Sequence, residues 1–282
     1  MSDRNITREV ITSRQNPTVK RICALLDKKA RKKERLFRFD GIKLFGEAVA
    51  KGLEIELVTV SETVGDAALK RIAALIESGT LAKERILCVS EELFDKMSEE
   101  SSPEGIITVA RFIDKKHKEI PSAEQYFIDK EKRILLAESL RDPGNLGTVI
   151  RSSAALGIDR LIITDDCADL YNPKTVRAAM GGLFSLDIDV VRGAELPNLI
   201  KSLQSNGRRI YATALTENAR LIGEIELERG DAFVIGNEGH GLCADTVSAA
   251  SGVAIIPMTE GSESLNAAAA AAICIWETVR VK

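Results

Sequence analysis

Apolar positions along the 282-residue chain follow two alternating rhythms. Period-two alternation marks half-buried strands, and recurrence at every third or fourth position marks helices with one apolar face. From the amino end this predicts a helix over 18–33, a strand and turn over 37–41 and a helix over 42–51. A strand over 54–60, a helix over 66–78, a strand over 85–89, a short helix over 91–97 and a strand over 105–110 follow. Such alternation implies a small three-layer α/β domain. The segment 114–132 is polar, charged and interrupted by Pro121, and it reads as a linker. The pattern then restarts, with strand runs near 134–138, 160–163, 186–191, 209–214, 232–235 and 253–257. Helices fill the gaps, among them 146–156, 195–205 and 266–279. Strands separated by helices indicate a mostly parallel sheet covered on both faces. The expected organisation is an α/β binding domain over 1–112, a linker over 113–130 and a second α/β domain over 131–282.

Three loops of the second domain share one design. Each follows an apolar strand, leads into a helix and carries glycine with a few polar side chains. The first is Asp142-Pro143-Gly144-Asn145-Leu146-Gly147-Thr148-Val149-Ile150-Arg151. The second is Val234-Ile235-Gly236-Asn237-Glu238-Gly239-His240-Gly241-Leu242. The third runs from Ile255 through Ile256-Pro257-Met258 to Ser264-Leu265-Asn266, and passes into six alanines, Ala267 to Ala272. In an open α/β sheet ligands bind beyond the carboxyl ends of the strands, so three such loops converge on one site. Ser264 is placed to cap the last helix. The alanine run favours helix strongly, and its methyl coat lets another backbone approach closely. Taken alone, that run fits a tightly packed terminal helix without chemistry equally well.

Charge and composition narrow the picture. The net charge of −3 does not advertise nucleic-acid binding. Yet between Arg14 and Lys43 eleven Lys or Arg stand against three acids, Asp27, Glu34 and Asp40. A helix dipole accounts for two or three such cations, and a phosphate-contacting surface through Lys28, Lys29, Arg31 and Lys32 accounts for the rest. The five cysteines, Cys23, Cys88, Cys167, Cys243 and Cys274, are scattered without a Cys-x-x-Cys pair, and only His117 and His240 join them. No metal site or disulfide framework is expected, and a reducing, cytoplasmic setting fits. The first residues lack the apolar core of a signal peptide, and no apolar run approaches the roughly 20 residues a bilayer span needs. Gly239-x-Gly241 lacks the third glycine of a dinucleotide fingerprint, and no loop ends in Gly-Lys-Ser/Thr.

Asn145-x-Gly147-x-x-x-Arg151, Gly236-x-Glu238-x-x-Gly241-Leu242, and Ile256-Pro257-Met258 with Ser264-Leu265-Asn266 resemble, in order, the three signature motifs of the SpoU-type (TrmH-like) RNA 2′-O-ribose methyltransferases of the SPOUT class. The resemblance implies a parallel-sheet catalytic domain with a deep trefoil knot, S-adenosyl-L-methionine as cofactor and a homodimer formed through the C-terminal domain. It assigns the cofactor to Gly236, Ile256 and Leu265, with backbone contacts from Thr213, Ala214 and Leu215. A branched residue at 236 is expected to close the adenine path. It assigns the chemistry to Asn145, Arg151, Glu238, Ser264 and Asn266, with Glu238 able to pair with Arg151. Arg151 serves either as the base for the ribose hydroxyl or as an electrostatic positioner. Deprotonating a guanidinium is costly, and its charge suits a phosphate or a developing alkoxide.

The other half resembles its family less specifically. Ser13-x-x-Asn16-Pro17-x-x-Lys20 and Phe39-Asp40-Gly41 are similar to the ribosomal protein L30e-like substrate-binding domain that precedes such catalytic domains, which usually has Glu where Asp40 stands. Asn172-Pro173-Lys174-x-x-Arg177-Ala178-Ala179 resembles a basic segment in which Ser is common at 179. Lys174 and Arg177 either touch RNA phosphate or begin a solvated helix. The implied substrate is RNA, ribosomal (23S-type) by the two-domain layout, with transfer RNA as the alternative. An RNA-binding protein that keeps the fold without catalysis is the competing function class.

Overall fold

Residues 9–123, 126–237, 239–259 and 264–281 are described by the computed structural model. The chain divides into a unit of 1–113 with 171–177 and a unit of 114–170 with 178–282.

The first unit contains α1 (Pro17–Ala24), α2 (Lys28–Glu34), β1 (Leu36–Asp40), α3 (Ile42–Ala50), β2 (Ile55–Ser61), α4 (Asp66–Glu77), β3 (Ile86–Val89), α5 (Glu91–Met97) and β4 (Ile106–Arg111). Its sheet runs β1-β4-β2-β3, with β4 antiparallel to both neighbours and β2 parallel to β3. Alternation along the strands feeds two cores. Val58, Val60 and Ile106 pack with Phe45 of α3 and Ile72 of α4. Ile107 and Val109 pack with Ile22 of α1 and Phe94 of α5. This is the three-layer arrangement that the spacing predicts.

The helix expected over 18–33 is two helices. Asp27 interrupts it, because its carboxylate accepts from the Lys29 and Ala30 amides and caps a new helix. Arg31 then turns back, and its Nη1 donates to the Leu25 and Leu26 carbonyls at 2.8 and 2.7 Å, satisfying the end of α1.

The second unit contains β5 (His117–Ile120), β6 (Ile134–Ala137), α6 (Pro143–Leu156), β7 (Arg160–Thr164), α8 (Gly182–Ser185), β8 (Asp187–Val191), α9 (Leu196–Ser205), β9 (Ile210–Thr213), β10 (Arg220–Leu221), β11 (Ala232–Ile235), α10 (Ala244–Ala249), β12 (Gly252–Ile255) and α11 (Ala267–Arg280); α7 (Pro173–Ala179) begins among residues of the first unit. The sheet order is β10-β12-β9-β11-β6-β7-β8-β5, and every pairing is parallel. One face carries α9 and α10, with Leu199, Leu203 and Ala249 over Leu136, Ile162 and Val234. Leu135, Ala137, Leu161 and Ile163, which alternate with these, are buried as well. After β12, at the far side of β9, the chain returns so that α11 packs on α6 and β11. Ala267, Ala268 and Ala271 are buried in that packing.

The segment 113–130, read from sequence as a linker, contributes a strand instead. β5 pairs with β8 from His117↔Ile188 to Ile120↔Val191, and Ala123, Tyr126 and Ile128 enter the core of the second unit. The charges of Lys118 and Glu119 masked the strand, as charged side chains do on a solvated sheet edge. Among the described residues no helix is long and apolar enough to cross a membrane, and no group of three or more His, Cys, Asp or Glu is placed to hold a metal ion.

Candidate active site

Parallel neighbours end on the same side of a sheet, so the loops after β9, β11 and β12 emerge together. They enclose a cleft of about 790 Å³ lined by Thr213 to Thr216, Gly236, Asn237, Gly239 to Leu242, Ile255, Ile256, Met258, Ser264, Leu265 and the start of α11 at Ala267 and Ala270. That volume lies within the range of roughly 300–1,000 Å³ of small-molecule sites. All six sequence-derived cofactor positions, Thr213, Ala214, Leu215, Gly236, Ile256 and Leu265, line it. Leu215 is 65% exposed and Leu265 37%, so the rim presents apolar side chains that a flat ligand would cover. The Thr213 hydroxyl donates to the Val234 carbonyl at 3.0 Å and is already engaged.

The loop after β11 closes on itself. Asn237 and Gly241 exchange backbone hydrogen bonds of 3.1 and 2.9 Å. Gly241 has φ +66°, which glycine adopts without steric cost. A Cβ on Gly236 would lie 2.4 Å from the Gly241 carbonyl carbon and 2.6 Å from the Leu242 nitrogen. Gly236 is therefore required by the loop's own backbone, and a branched residue there deforms the loop rather than simply closing a ligand path. The Asn237 side chain accepts from the Gly239 amide at 2.8 Å. Its Nδ2 donates to the Ser139 carbonyl at 2.9 Å. Glu238 lies outside the described residues.

The segment after β6 is the hub. The Cys243 amide donates to Glu138 Oε2 at 3.1 Å, so both ends of the 237–242 loop are tied to consecutive residues, 138 and 139. Asp142 caps α6 by accepting from the Asn145 amide at 2.7 Å. Asn145 Oδ1 in turn accepts from Asn266 Nδ2 at 2.9 Å. Asn266, not Ser264, is the cap of α11, with Oδ1 accepting from the Ala268 and Ala269 amides. Its side chain thus serves two ends, closing the helix with its oxygen and reaching the first loop with its nitrogen.

Of the expected chemical residues, Asn145 and Asn266 are in contact, and Ser264 stands exposed on the cleft lining. Arg151 is exposed on α6, outside that lining, and no carboxylate among the described residues pairs with it. Lys28, Lys29 and Lys32 are exposed on α2. Arg31 does not belong with them, being 2% exposed with its guanidinium spent on main-chain carbonyls. Lys174 is exposed, and Arg177 pairs at 3.8 Å with Glu100 of the same unit. Sequence reading missed Glu138, Ser139, Asp166 and Asn237. Asn237 carried a signal, since an Asn just before a glycine turn commonly folds back on its own backbone. Asp166 carried none.

Comparison with known proteins agrees with this geometry. Residues 132–276 match the model of the SpoU rRNA Methylase family, and residues 16–108 match that of the MRM3-like substrate binding domain. The chain is 33% identical over 267 residues to a 23S rRNA (guanosine(2553)-2′-O)-methyltransferase, RlmP, of Bacillus subtilis, covering 94% of this chain and 97% of the relative. It is 30% identical over 210 residues to a 23S rRNA (uridine(2479)-2′-O)-methyltransferase of Streptomyces viridochromogenes, covering 71% of this chain and 69% of that one. The crystal structure of an AdoMet-bound rRNA methyltransferase from Sinorhizobium meliloti superposes with a TM-score of 0.80 at 26% identity, over 96% of this chain and 97% of that one.

Proposed function

Since the chain belongs to the SpoU rRNA methylase family, we propose that it methylates the 2′-hydroxyl of a ribose in ribosomal RNA of the 23S type, using S-adenosylmethionine. The observation that carries this reading is the cleft made by the three strand-end loops, with its mixed lining of backbone, hydroxyls and aliphatic side chains. That lining fits a ligand with an adenine, a ribose and an amino-acid end. Ile256 and Leu265 cover the adenine faces, and backbone groups of residues 213–215 and 236 grip its edge. S-adenosylmethionine supplies, when bound, a methyl group on a positively charged sulfur. Arg151 holds the target ribose and its phosphate and stabilises the alkoxide as the hydroxyl gives its proton to a phosphate oxygen or to water. Asn145, held by Asn266, fixes the first loop beside the third. Ser264 completes the polar side of the site. Positioning supplies most of the acceleration.

The first unit captures RNA through Lys28, Lys29 and Lys32, with Lys174 and Arg177 adding phosphate contacts. The active form is a homodimer through the second unit. Trp276 on α11 is 57% exposed and Leu156 at the end of α6 is 36% exposed, a pair of apolar groups that a second copy would cover. The protein acts in the cytoplasm. Calorimetry should give one S-adenosylmethionine site per chain that NAD does not occupy, and sedimentation at micromolar concentration should give a dimer. Mapping 2′-O-methyls in ribosomal RNA from cells lacking the gene should reveal a missing mark. Cofactor binding with no missing mark in ribosomal or transfer RNA would favour the non-catalytic RNA-binding alternative.

A further inference from the structure

Ser139 has a left-handed backbone, φ +56°, although it is not a glycine. Such a conformation costs a side-chain-bearing residue free energy and persists where neighbours enforce it. The neighbours here are specific. The Ser139 amide donates to Thr164 Oγ1 at 2.8 Å, and Thr164 Oγ1 donates to Asp166 Oδ1 at 2.7 Å. The Ser139 hydroxyl donates to the other oxygen, Asp166 Oδ2, at 2.6 Å. Asp166 therefore holds residue 139 from both its amide side and its side chain. Burial would raise the Asp166 pKa, but hydrogen bonds from Ser139, Thr164 and Arg141 outweigh it and keep the carboxyl below its ordinary range.

The consequence lies at the Ser139 carbonyl, which receives Asn237 Nδ2. Asn237 lines the cleft and organises the 237–241 loop, whereas Ser139 and Asp166 do not line the cleft. We propose that Asp166 is a positioning residue for the cofactor cleft, acting through the backbone of residue 139 and through Asn237 to hold the second loop against the segment after β6. This deepens the proposed function and rests on the reading of the cleft as the S-adenosylmethionine site. The brace uses Asp166 only because residue 139 must be forced into the left-handed region. Glycine enters that region without steric cost, so a glycine at 139 makes Asp166 dispensable.

The test is calorimetric affinity for S-adenosylmethionine at a temperature where every variant is folded, with Tm measured alongside. Asp166→Ala should weaken binding roughly fivefold, about what one lost hydrogen bond is worth. Ser139→Gly should bind nearly as the wild type does. The double variant Ser139→Gly/Asp166→Ala should match Ser139→Gly, a rescue that a merely structural role for Asp166 would not give. Wild-type affinity in Asp166→Ala, even with a lowered Tm, overturns the brace, as does a double variant as weak as Asp166→Ala. If Asp166→Ala does not fold, Ser139→Ala carries the same test, since it removes the hydroxyl while keeping the backbone cost. It too should weaken binding roughly fivefold, and unchanged affinity overturns the proposal. A wild-type chain that takes up no cofactor overturns the reading of the cleft itself. That failure appears before any variant is compared.

Discussion

Both units of this chain are α/β layers of similar make, yet among the described residues it is in the second that several strand-end loops gather around a large cleft. Direction of pairing accounts for the difference. In the second unit every strand pairing is parallel, so the ends of β6, β9, β11 and β12 open on one side and their loops meet. In the first unit β1, β2 and β3 run the same way, but β4 lies antiparallel between β1 and β2, so the end of β1 is set apart from the ends of β2 and β3 by a strand that finishes at the opposite edge. Its polar side chains are used locally. Arg38, 1% exposed, pairs with Asp40, which accepts from Ser98, and Arg31 closes the end of a helix. A parallel sheet concentrates function at one rim, whereas a mixed sheet leaves its charges to a surface.

The largest expected effect breaks the rim. Arg151→Ala should lower methyl transfer by about 10²–10³-fold, as removal of one transition-state donor does elsewhere. S-adenosylmethionine affinity should hardly change, because Arg151 does not line the cleft. Arg151→Lys separates two roles in single-turnover rates across pH. A lysine acting as base gains activity as pH rises toward its ordinary pKa of about 10. A lysine replacing an electrostatic positioner stays low and flat, since it lacks the planar fork. Wild-type turnover in Arg151→Ala would remove the first motif from the mechanism.

Next in size is a contrast within the basic segment. Arg31→Gln strands two carbonyls at the end of α1 and should cost about 2 kcal/mol of stability in urea unfolding. Changing Lys28, Lys29 and Lys32 together to Gln should leave stability within about 0.5 kcal/mol. It should weaken RNA binding roughly tenfold at low salt and flatten the salt slope by up to about three units, one per lost phosphate contact. Cofactor affinity should be unchanged in both. If the triple variant keeps wild-type RNA affinity and slope, these lysines are solvated charges only.

How much of this was legible in the sequence depended on whether a signal was local. Strand runs such as Ile134–Ala137 and Ala232–Ile235 are apolar throughout and announce burial on both faces. Glycine loops after such runs announce strand-end sites, and all six positions expected from sequence to meet the cofactor line one cleft. The break at Asp27 was hidden because lysine and arginine on both sides of it are good helix formers. β5 was hidden because its charges mimic a linker. The cap of the last helix was placed two residues early because Ser264 and Asn266 are equally good caps by type. Only the contact with Asn145, 121 positions away in sequence, gives Asn266 its second task. Ser139 and Asp166 are joined across the ends of β6 and β7, a pairing no period or motif encodes.

The smallest expected effect is a pH dependence confined to the second unit. His117 opens the edge strand β5, and its Nε2 contacts the Leu183 carbonyl at 3.1 Å. Burial lowers its pKa to about 4, with Lys116 adding repulsion, while the Leu183 hydrogen bond and the Asp187 and Asp114 carboxylates oppose the shift. The unfolded chain, with an ordinary histidine pKa near 6.5, binds the proton more readily than the folded one. Stability from the neutral ring is therefore full above about pH 6.5 and is lost as pH falls toward 4; below that both states are protonated and the loss stops. The loss should be on the order of 1 kcal/mol, since the ring is only half-buried. Trp276, the single tryptophan, sits on α11 and reports the second unit alone. Its fluorescence midpoint in urea should fall between pH 6.5 and 4 more steeply in the wild type than in His117→Gln. The first unit contains no histidine among its described residues and should show no such difference. Parallel curves for wild type and variant would mean that the edge strand opens to water without cost, and that the pairing of β5 with β8 contributes little to the second unit.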